Sequence, residues 1–215
     1  MGLGIDSVVD RLRAEVLHLR DNGKGNIRVH PNSFIQVDLD PAEDSWHESH
    51  KQGHSGAMRR LHIWNPDAHD LPRQKTVNEI HDHVFDMHST VIKGTLTQKL
   101  YWFVVGGIDQ ASHELYRAVY NKSSDSRLEA LGIKGVLRRF DSFNIHMTQT
   151  YTQPAFTLHD SEPIGCTVTV MEKTDVHEGE ASVLCPIGSP PDNSFDRASA
   201  ADPDYLWQAV EASLR

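Results

Sequence analysis

The sequence has few cysteines, no long hydrophobic run and no concentrated basic segment. Cys166 and Cys185 are its only cysteines, which favours reduced thiols in a cytoplasmic protein over a disulfide framework. No stretch approaches the roughly 20 apolar residues of a membrane span, and charged residues interrupt the first apolar run, unlike in a signal peptide. Lys and Arg number 21 against 30 Asp and Glu, and none of their runs exceeds a pair. A membrane or nucleic-acid partner is therefore not expected.

The 215 residues suit a single domain with a sizeable core. Apolar residues recur at helical spacing over 5–20, so residues 1–22 are predicted to form an N-terminal helix that packs on a barrel. Residues 27–187 are predicted to form that barrel. Residues 188–215 are predicted to be an extended tail that ends in a short helix near 203–214.

The central segment consists of short runs rich in Val, Ile, Thr, Phe and Tyr, separated by Gly, Asn, Asp and Pro. Many short strands with few helical patterns between them indicate a mainly β fold, an antiparallel sandwich or barrel. The candidate strands are 33–39, 60–64, 77–84, 87–93, 95–105, 114–121, 128–139, 143–150, 154–159, 165–173 and 181–184.

Histidine is abundant, with 14 residues, and two of them form the pair His81-Asp82-His83. Side chains alternate between the two faces of a strand, so His81 and His83 are predicted to point the same way and Asp82 the other way. Two imidazoles so placed can share one metal ion. Such a pair also arises by chance in a His-rich chain. Gly94 follows at a suitable distance for a turn into the next strand.

A second His-bearing region lies about sixty residues further along the chain. Alternation over 141–150 places His146 on one face with Asn144 and Thr148. The strand 154–159 is predicted to pair with it as a hairpin, which would bring His159 close to His146 inside the barrel. The alternative is two core histidines satisfied by hydrogen bonds.

These segments resemble motifs of the cupin superfamily, most closely those of cysteine dioxygenase and other thiol dioxygenases. Ile-His-Asp-His at 80–83, Asp-Ser-Phe-Asn-Ile-His at 141–146 and Gln-Pro-Ala-Phe-Thr-Leu-His at 153–159 are similar to that family's motifs. The resemblance covers roughly residues 61–172. It implies a double-stranded β-helix, or jelly-roll barrel, with Fe(II) held by His81, His83 and His146. It also implies that His159 lies outside the ligands and supports them.

The substrate machinery departs from the family pattern. His88 stands where animal cysteine dioxygenases have the cysteine of a Cys–Tyr crosslink, so it is either a fourth ligand or an outlying residue. Ser161 replaces the tyrosine that contacts the family's substrate. Arg60, Arg59 and Tyr101 are the candidates for binding substrate. Cysteine itself is therefore not the expected substrate.

The resulting hypothesis is a non-haem Fe(II) dioxygenase whose partners are dioxygen and a small thiol or small acid. Zn²⁺, Ni²⁺ or Mn²⁺ also suits the ligand set, so an oxygen-independent isomerase, hydrolase or decarboxylase stays open. A cupin that binds a small molecule without turnover is the third alternative. The exposed edges of such a barrel favour a homodimer.

Overall fold

The computed structural model describes residues 5–23, 25–30, 32–40, 58–65, 80–106, 110–120, 126–191, 193 and 201–215. The elements in chain order are α1 (Ile5–Asp21), β1 (Asn26–His30), β2 (Phe34–Asp38), β3 (Met58–Trp64), β4 (Phe85–Val105), β5 (His113–Tyr120), β6 (Ser126–His146), β7 (Thr150–Gln153), β8 (His159–Val176), β9 (Ser182–Pro186) and α2 (Pro203–Ser213). The mainly β prediction, with one helix before the strands and one after them, is confirmed. No helix in the described ranges has the length and apolar composition to cross a membrane.

The strands form one antiparallel sheet in the order β1-β2-β3-β8-β4-β6-β5-β9, with β7 beside β4. Residues 80–82 close part of this sheet into a ring. The backbone N–H of Leu184 in β9 donates to Ile80 O at 2.9 Å on one side. His81 and His159 exchange backbone hydrogen bonds of 3.1 and 2.9 Å on the other side, where β8 begins. This closure makes His81 and His159 direct neighbours.

The two helices cover the outer face of β1, β2 and β3. Leu12, Val16 and Leu19 of α1 lie at helical spacing on one face, and they pack into a cluster with aliphatic side chains of these strands and with α2. Leu61 and Ile63 in β3 are both fully buried in this cluster. Because strand residues alternate, their neighbours in sequence face the interior of the barrel.

The structure joins the predicted strands 87–93 and 95–105 into the single strand β4. Gly94 lies within that strand at a register irregularity, with φ of +77°. A Cβ at this position would lie 2.4 Å from Cys166 O, so only glycine fits. Gly94 therefore permits a bulge rather than ending a strand, which corrects the predicted turn.

Two other strand predictions are wrong. Residues 128–139 and 143–146 belong to the continuous strand β6, and residues 154–158 are not a strand. The predicted hairpin between 143–150 and 154–159 does not form, because β7 pairs with β4 instead. The predicted strand 77–84 lies partly outside the described residues. Its described part contributes only the bridge at His81 before β4 begins at Phe85.

Candidate metal centre

Among the described residues, His81, His83 and His159 form a group whose candidate ligand atoms all lie within 4.8 Å of one another. The ring centroids are 4.8 Å apart for His81 and His83, 4.5 Å for His81 and His159, and 5.1 Å for His83 and His159. His159 is buried and the other two are half-buried. The predicted pairing of His81 with His83 on one side of the chain is thus present.

Two short segments position these rings. The backbone hydrogen bonds between His81 and His159 bring the second segment against the first. His83 O accepts from Phe156 N at 2.8 Å, which attaches the turn before β8 to the same segment. Asp82 points away from the group, and its carboxylate accepts from Ser182 N at 2.6 Å. It joins this segment to β9 and does not belong to the histidine group.

The environment of the group favours neutral imidazoles. Burial, followed by the effect of the neighbouring His81, lowers the pKa of His159 to about 3. The pKa of His83 lies well below its usual value, first because of burial and then because of His81 and His159. A neutral imidazole has a lone pair available for a metal at neutral pH.

The three rings fit a single divalent ion. Zn²⁺–nitrogen bonds are about 2.0–2.1 Å long, so two nitrogens on one ion lie at most about 4.2 Å apart. The spacing within the group is at most 4.8 Å, so small side-chain rotations would bring every nitrogen within reach.

A hydrogen-bonded chain of polar groups begins at Nδ1 of His159. Its Nδ1 lies 2.9 Å from the carbonyl oxygen of Thr157 and 2.6 Å from the amide of Gln153. Because a carbonyl can only accept, the hydrogen belongs on Nδ1, and Nε2 is left for a metal. The structure places Gln153 Nε2 at that distance, so a half-turn of the amide, which exchanges its nitrogen and oxygen, would present Oε1 to the ring. Gln98 contacts Gln153 at 2.5 Å and Ser161 at 2.6 Å.

The group lines a cavity of about 460 Å³ inside the barrel. Apolar and aromatic side chains surround the histidines: Phe85, Met87, Tyr151 and Met171. Further lining comes from β1, β2, β3 and the residues that join β1 to β2: His30, Asn32, Ser33, Phe34, Gln36, Arg60, His62 and Trp64. Lys99, Asp160, Ser161 and Glu162 line it as well. The phenyl ring of Phe85 stacks on His83 with centroids 4.7 Å apart.

The structure does not bring His146 to this group, and His159 occupies the third position instead. His146 pairs with Thr95 of β4, whereas His159 pairs with Leu100, five residues further along the same strand. At about 3.3 Å per residue the two positions lie about 16 Å apart. His146 is exposed at the end of β6, where its backbone N–H donates to Gln149 Oε1 at 2.7 Å.

Of the other predicted site residues, Ser161 lines the cavity, whereas His88 and Tyr101 do not. His88 is exposed, because Met87 and Ser89 take the buried face of β4, and it does not belong to the histidine group. Tyr101 does not line the cavity, and its hydroxyl donates to Asp160 Oδ2 at 2.7 Å. Ser161 does line the cavity.

The two arginines face opposite sides of β3. Arg60 lines the cavity. Arg59 turns outward to the carboxylates of Glu15 in α1 and Asp40, at 2.6 and 2.9 Å. Strand alternation accounts for the difference between these neighbours.

Sequence reasoning missed several residues of the site: Phe34, His62, Gln98, Gln153 and Lys173. Burial and the nearby Arg60 lower the pKa of His62 to about 3. Burial lowers the pKa of Lys173 to about 8, and its ammonium lies 5.5 Å from the ring centre of Phe85. The sequence carries a signal for His62. Arg60, His62 and Trp64 alternate with the aliphatic residues Leu61 and Ile63, so three polar or aromatic side chains share one strand face.

No protein-family model and no curated sequence matches the chain. Among solved structures, it is similar to a hydroxypropylphosphonic acid epoxidase from S. wedmorenis, with 10% identity and a TM-score of 0.36, over 70% of this chain and 56% of that one. It is also similar to an 11S globulin from Wrightia tinctoria whose structure reveals an auxin binding site. There the identity is 10% and the TM-score 0.26, over 70% of this chain and 32% of the globulin. Similarity at this level leaves function to be argued from the chain's own residues.

Proposed function

We propose that the protein is a metal-dependent cupin enzyme, and specifically a non-haem Fe(II) dioxygenase that acts on a small acid or thiol. The observation that carries the proposal is the group of three imidazoles on the wall of an interior cavity. His81, His83 and His159 would hold the ion in place of the ligand set implied by the family resemblance, in which His146 stood third.

The donor set suits this chemistry. Three neutral imidazoles leave a divalent ion with its full charge and with open coordination positions. Iron bound there would supply the redox chemistry with dioxygen. An anionic group of the substrate would be attracted to the same place, because the imidazoles contribute no negative charge.

The chain's own residues would orient and enclose the reactants. Thr157 fixes the hydrogen of His159 on Nδ1 and so directs Nε2 toward the ion. Arg60 lines the cavity and would attract an acidic substrate. Phe85 and Met171, both buried, would limit the access of water.

An oxygen-independent metalloenzyme is the second candidate. A three-imidazole group without a carboxylate is also a ligand set of catalytic zinc, which acts as a Lewis acid or activates a bound water. The substrate and, for the dioxygenase, dioxygen are the partners in these proposals. A homodimer and a cytoplasmic location stay predictions.

The test is oxygen uptake by protein reconstituted anaerobically with Fe(II), over a panel of small thiols and small acids. We expect substrate-dependent uptake that His81→Ala abolishes and that Zn²⁺-loaded protein lacks. Turnover that proceeds equally well with Zn²⁺ and without dioxygen would favour the second candidate. Failure of the protein to bind any divalent ion after reconstitution would exclude both.

A further inference from the structure

Four rings cluster on the part of the cavity wall that comes from β1, β2 and β3. His30 stacks on Phe34 with centroids 4.2 Å apart and an interplanar angle of 10°. Phe34 lies 4.8 Å from His62 and 4.9 Å from Trp64, and those two meet edge to face at 5.9 Å. We call these four residues the ring cluster.

The ring cluster lines the cavity, and Trp64 also packs against the core cluster of Val91, Leu96 and Ile145. All four residues line the cavity, whereas the core beneath the helices takes its side chains from the opposite face of the same strands. His81, His83 and His159 line the same cavity, so one ligand can contact both the ring cluster and the histidine group.

Two arginines near the ring cluster share one carboxylate. Arg28 and Arg60 both pair with the single carboxylate of Asp38, with nitrogen–oxygen distances of 3.0 and 3.4 Å. Gln36, which lies between them on the inner face, donates to the same carboxylate at 3.0 Å. Arg28, Arg60 and Asp38 leave one excess positive charge near the ring cluster, and Arg60 is the member of this group that lines the cavity. Lys99 with Asp160 and Glu162 leaves one excess negative charge on another part of the lining. An anionic group in the cavity is therefore favoured beside Arg60.

The cavity is larger than a small aliphatic acid or thiol requires. Its volume of about 460 Å³ falls within the range of about 300–1,000 Å³ typical of sites for larger organic ligands. Aromatic walls with a few polar groups are the usual lining of such sites. Aromatic ligands gain from offset or edge-to-face contact with such rings, which a saturated ligand of the same shape cannot make.

We infer that the substrate of the proposed enzyme is an aromatic carboxylate, whose ring packs against Phe34 and Trp64 and whose carboxylate lies near Arg60. The inference rests on the proposed function and narrows its substrate class from small acids and thiols to aromatic acids. In this arrangement the ligand's aromatic ring lies against Phe34 and Trp64, and its carboxylate lies between Arg60 and the metal centre.

The test compares three probes by isothermal titration calorimetry on the purified full chain, with and without added Zn²⁺. Phenylacetate has both features, cyclohexylacetate lacks the aromatic ring, and 2-phenylethanol lacks the charge. We expect phenylacetate to bind about tenfold more tightly than either comparison compound. Equal binding of cyclohexylacetate and phenylacetate would overturn the inference, and so would the absence of phenylacetate binding.

Variants locate the site. Phe34→Leu and Arg60→Gln should each weaken phenylacetate binding about tenfold or more. Phe143→Leu and Arg59→Gln are the matched controls, because Phe143 is exposed and Arg59 faces α1, and both should bind like the unaltered protein. If Phe34→Leu does not fold, His62→Gln takes its place. Equal effects in the test and control variants would contradict the assignment.

These results separate the two proposals. Binding is measured without turnover, so phenylacetate binding at this wall without any oxygen uptake over the substrate panel would support a site for aromatic carboxylates and count against the dioxygenase. Oxygen uptake with aliphatic thiols, together with no phenylacetate binding, would do the reverse.

Discussion

The two faces of β3 divide stability from chemistry within one short strand. Leu61 and Ile63 point outward and are fully buried beneath the helices. Arg60, His62 and Trp64 alternate with them and point into the cavity that contains the histidine group. The comparison shows that one strand can supply a hydrophobic core on one face and a binding wall on the other, because its side chains alternate with a period of two.

The difference between the faces is also energetic. Burial of Leu61 and Ile63 stabilises the fold by removing aliphatic surface from water. Burial of His62 and Arg60 costs free energy, since charged or polar groups lose hydration there. Hydrophobic burial on the outer face must therefore offset the free-energy cost of the polar residues on the inner face.

The largest effect is expected on the outer face. Ile63→Ala should lower the free energy of unfolding by about 2–5 kcal/mol, because it leaves a cavity in a fully buried cluster. Metal affinity should be unchanged in the folded protein. Chemical denaturation and metal titration measure the two quantities. Ile164→Ala, at an exposed position of β8, is the control and should change stability by no more than about 0.5 kcal/mol. Loss of metal affinity in folded Ile63→Ala would show that the outer face of β3 also contributes to the metal site.

A smaller effect, on metal affinity, is expected from the residue that contacts His159 Nδ1. Gln153→Leu removes the buried amide that contacts His159 Nδ1, and it should weaken metal binding about 10–100-fold. Competition with a chelator of known affinity measures the change. Gln149→Leu is the matched control, because Gln149 contacts His146 rather than the three-histidine group. A similar loss in both variants would count against the support of the metal ligands by Gln153.

A third effect concerns the dependence of stability on pH. The pKa of His62 is about 3 in the folded protein and about 6.5 in an unfolded chain. Between these values the unfolded state binds one more proton at this residue, so stability falls as pH falls from about 6.5 toward 3. The slope is about 1.4 kcal/mol per pH unit for one such group.

His62→Gln should remove that part of the slope. The measurement is the free energy of unfolding of the metal-free protein by urea at several pH values between 7.5 and 4.5. His88→Gln, which changes an exposed histidine of the same barrel, should keep the slope of the unaltered protein. Identical slopes in His62→Gln and the unaltered protein would show that His62 takes up its proton in the folded state.

Local patterns predicted much of the fold. Both terminal helices are present, at Ile5–Asp21 and Pro203–Ser213, because their apolar residues recur at the helical period. Residues 1–4 of the predicted range 1–22 lie outside the described residues. The shared orientation of His81 and His83 follows from their spacing. Both features depend only on neighbours in sequence.

The third histidine could not be predicted from local patterns. Its identity depends on which strands pair and in which register, and backbone hydrogen bonds between residues 80–82 and the start of β8 decide this. Alternation correctly separated His146 from its apolar neighbours but did not indicate which part of β4 it would face. Gly94 was misinterpreted for a related reason: a glycine at positive φ permits a bulge as readily as a turn.

Metal content after anaerobic reconstitution with Fe(II), compared between His159→Ala and His146→Ala, tests the central claim most directly. Circular dichroism and gel filtration establish that both variants fold. The account predicts that the unaltered protein and His146→Ala retain near-stoichiometric iron, whereas His159→Ala loses it, because only His159 lies with His81 and His83. Iron retained by His159→Ala and lost by His146→Ala would contradict the account and restore the ligand set implied by the family resemblance.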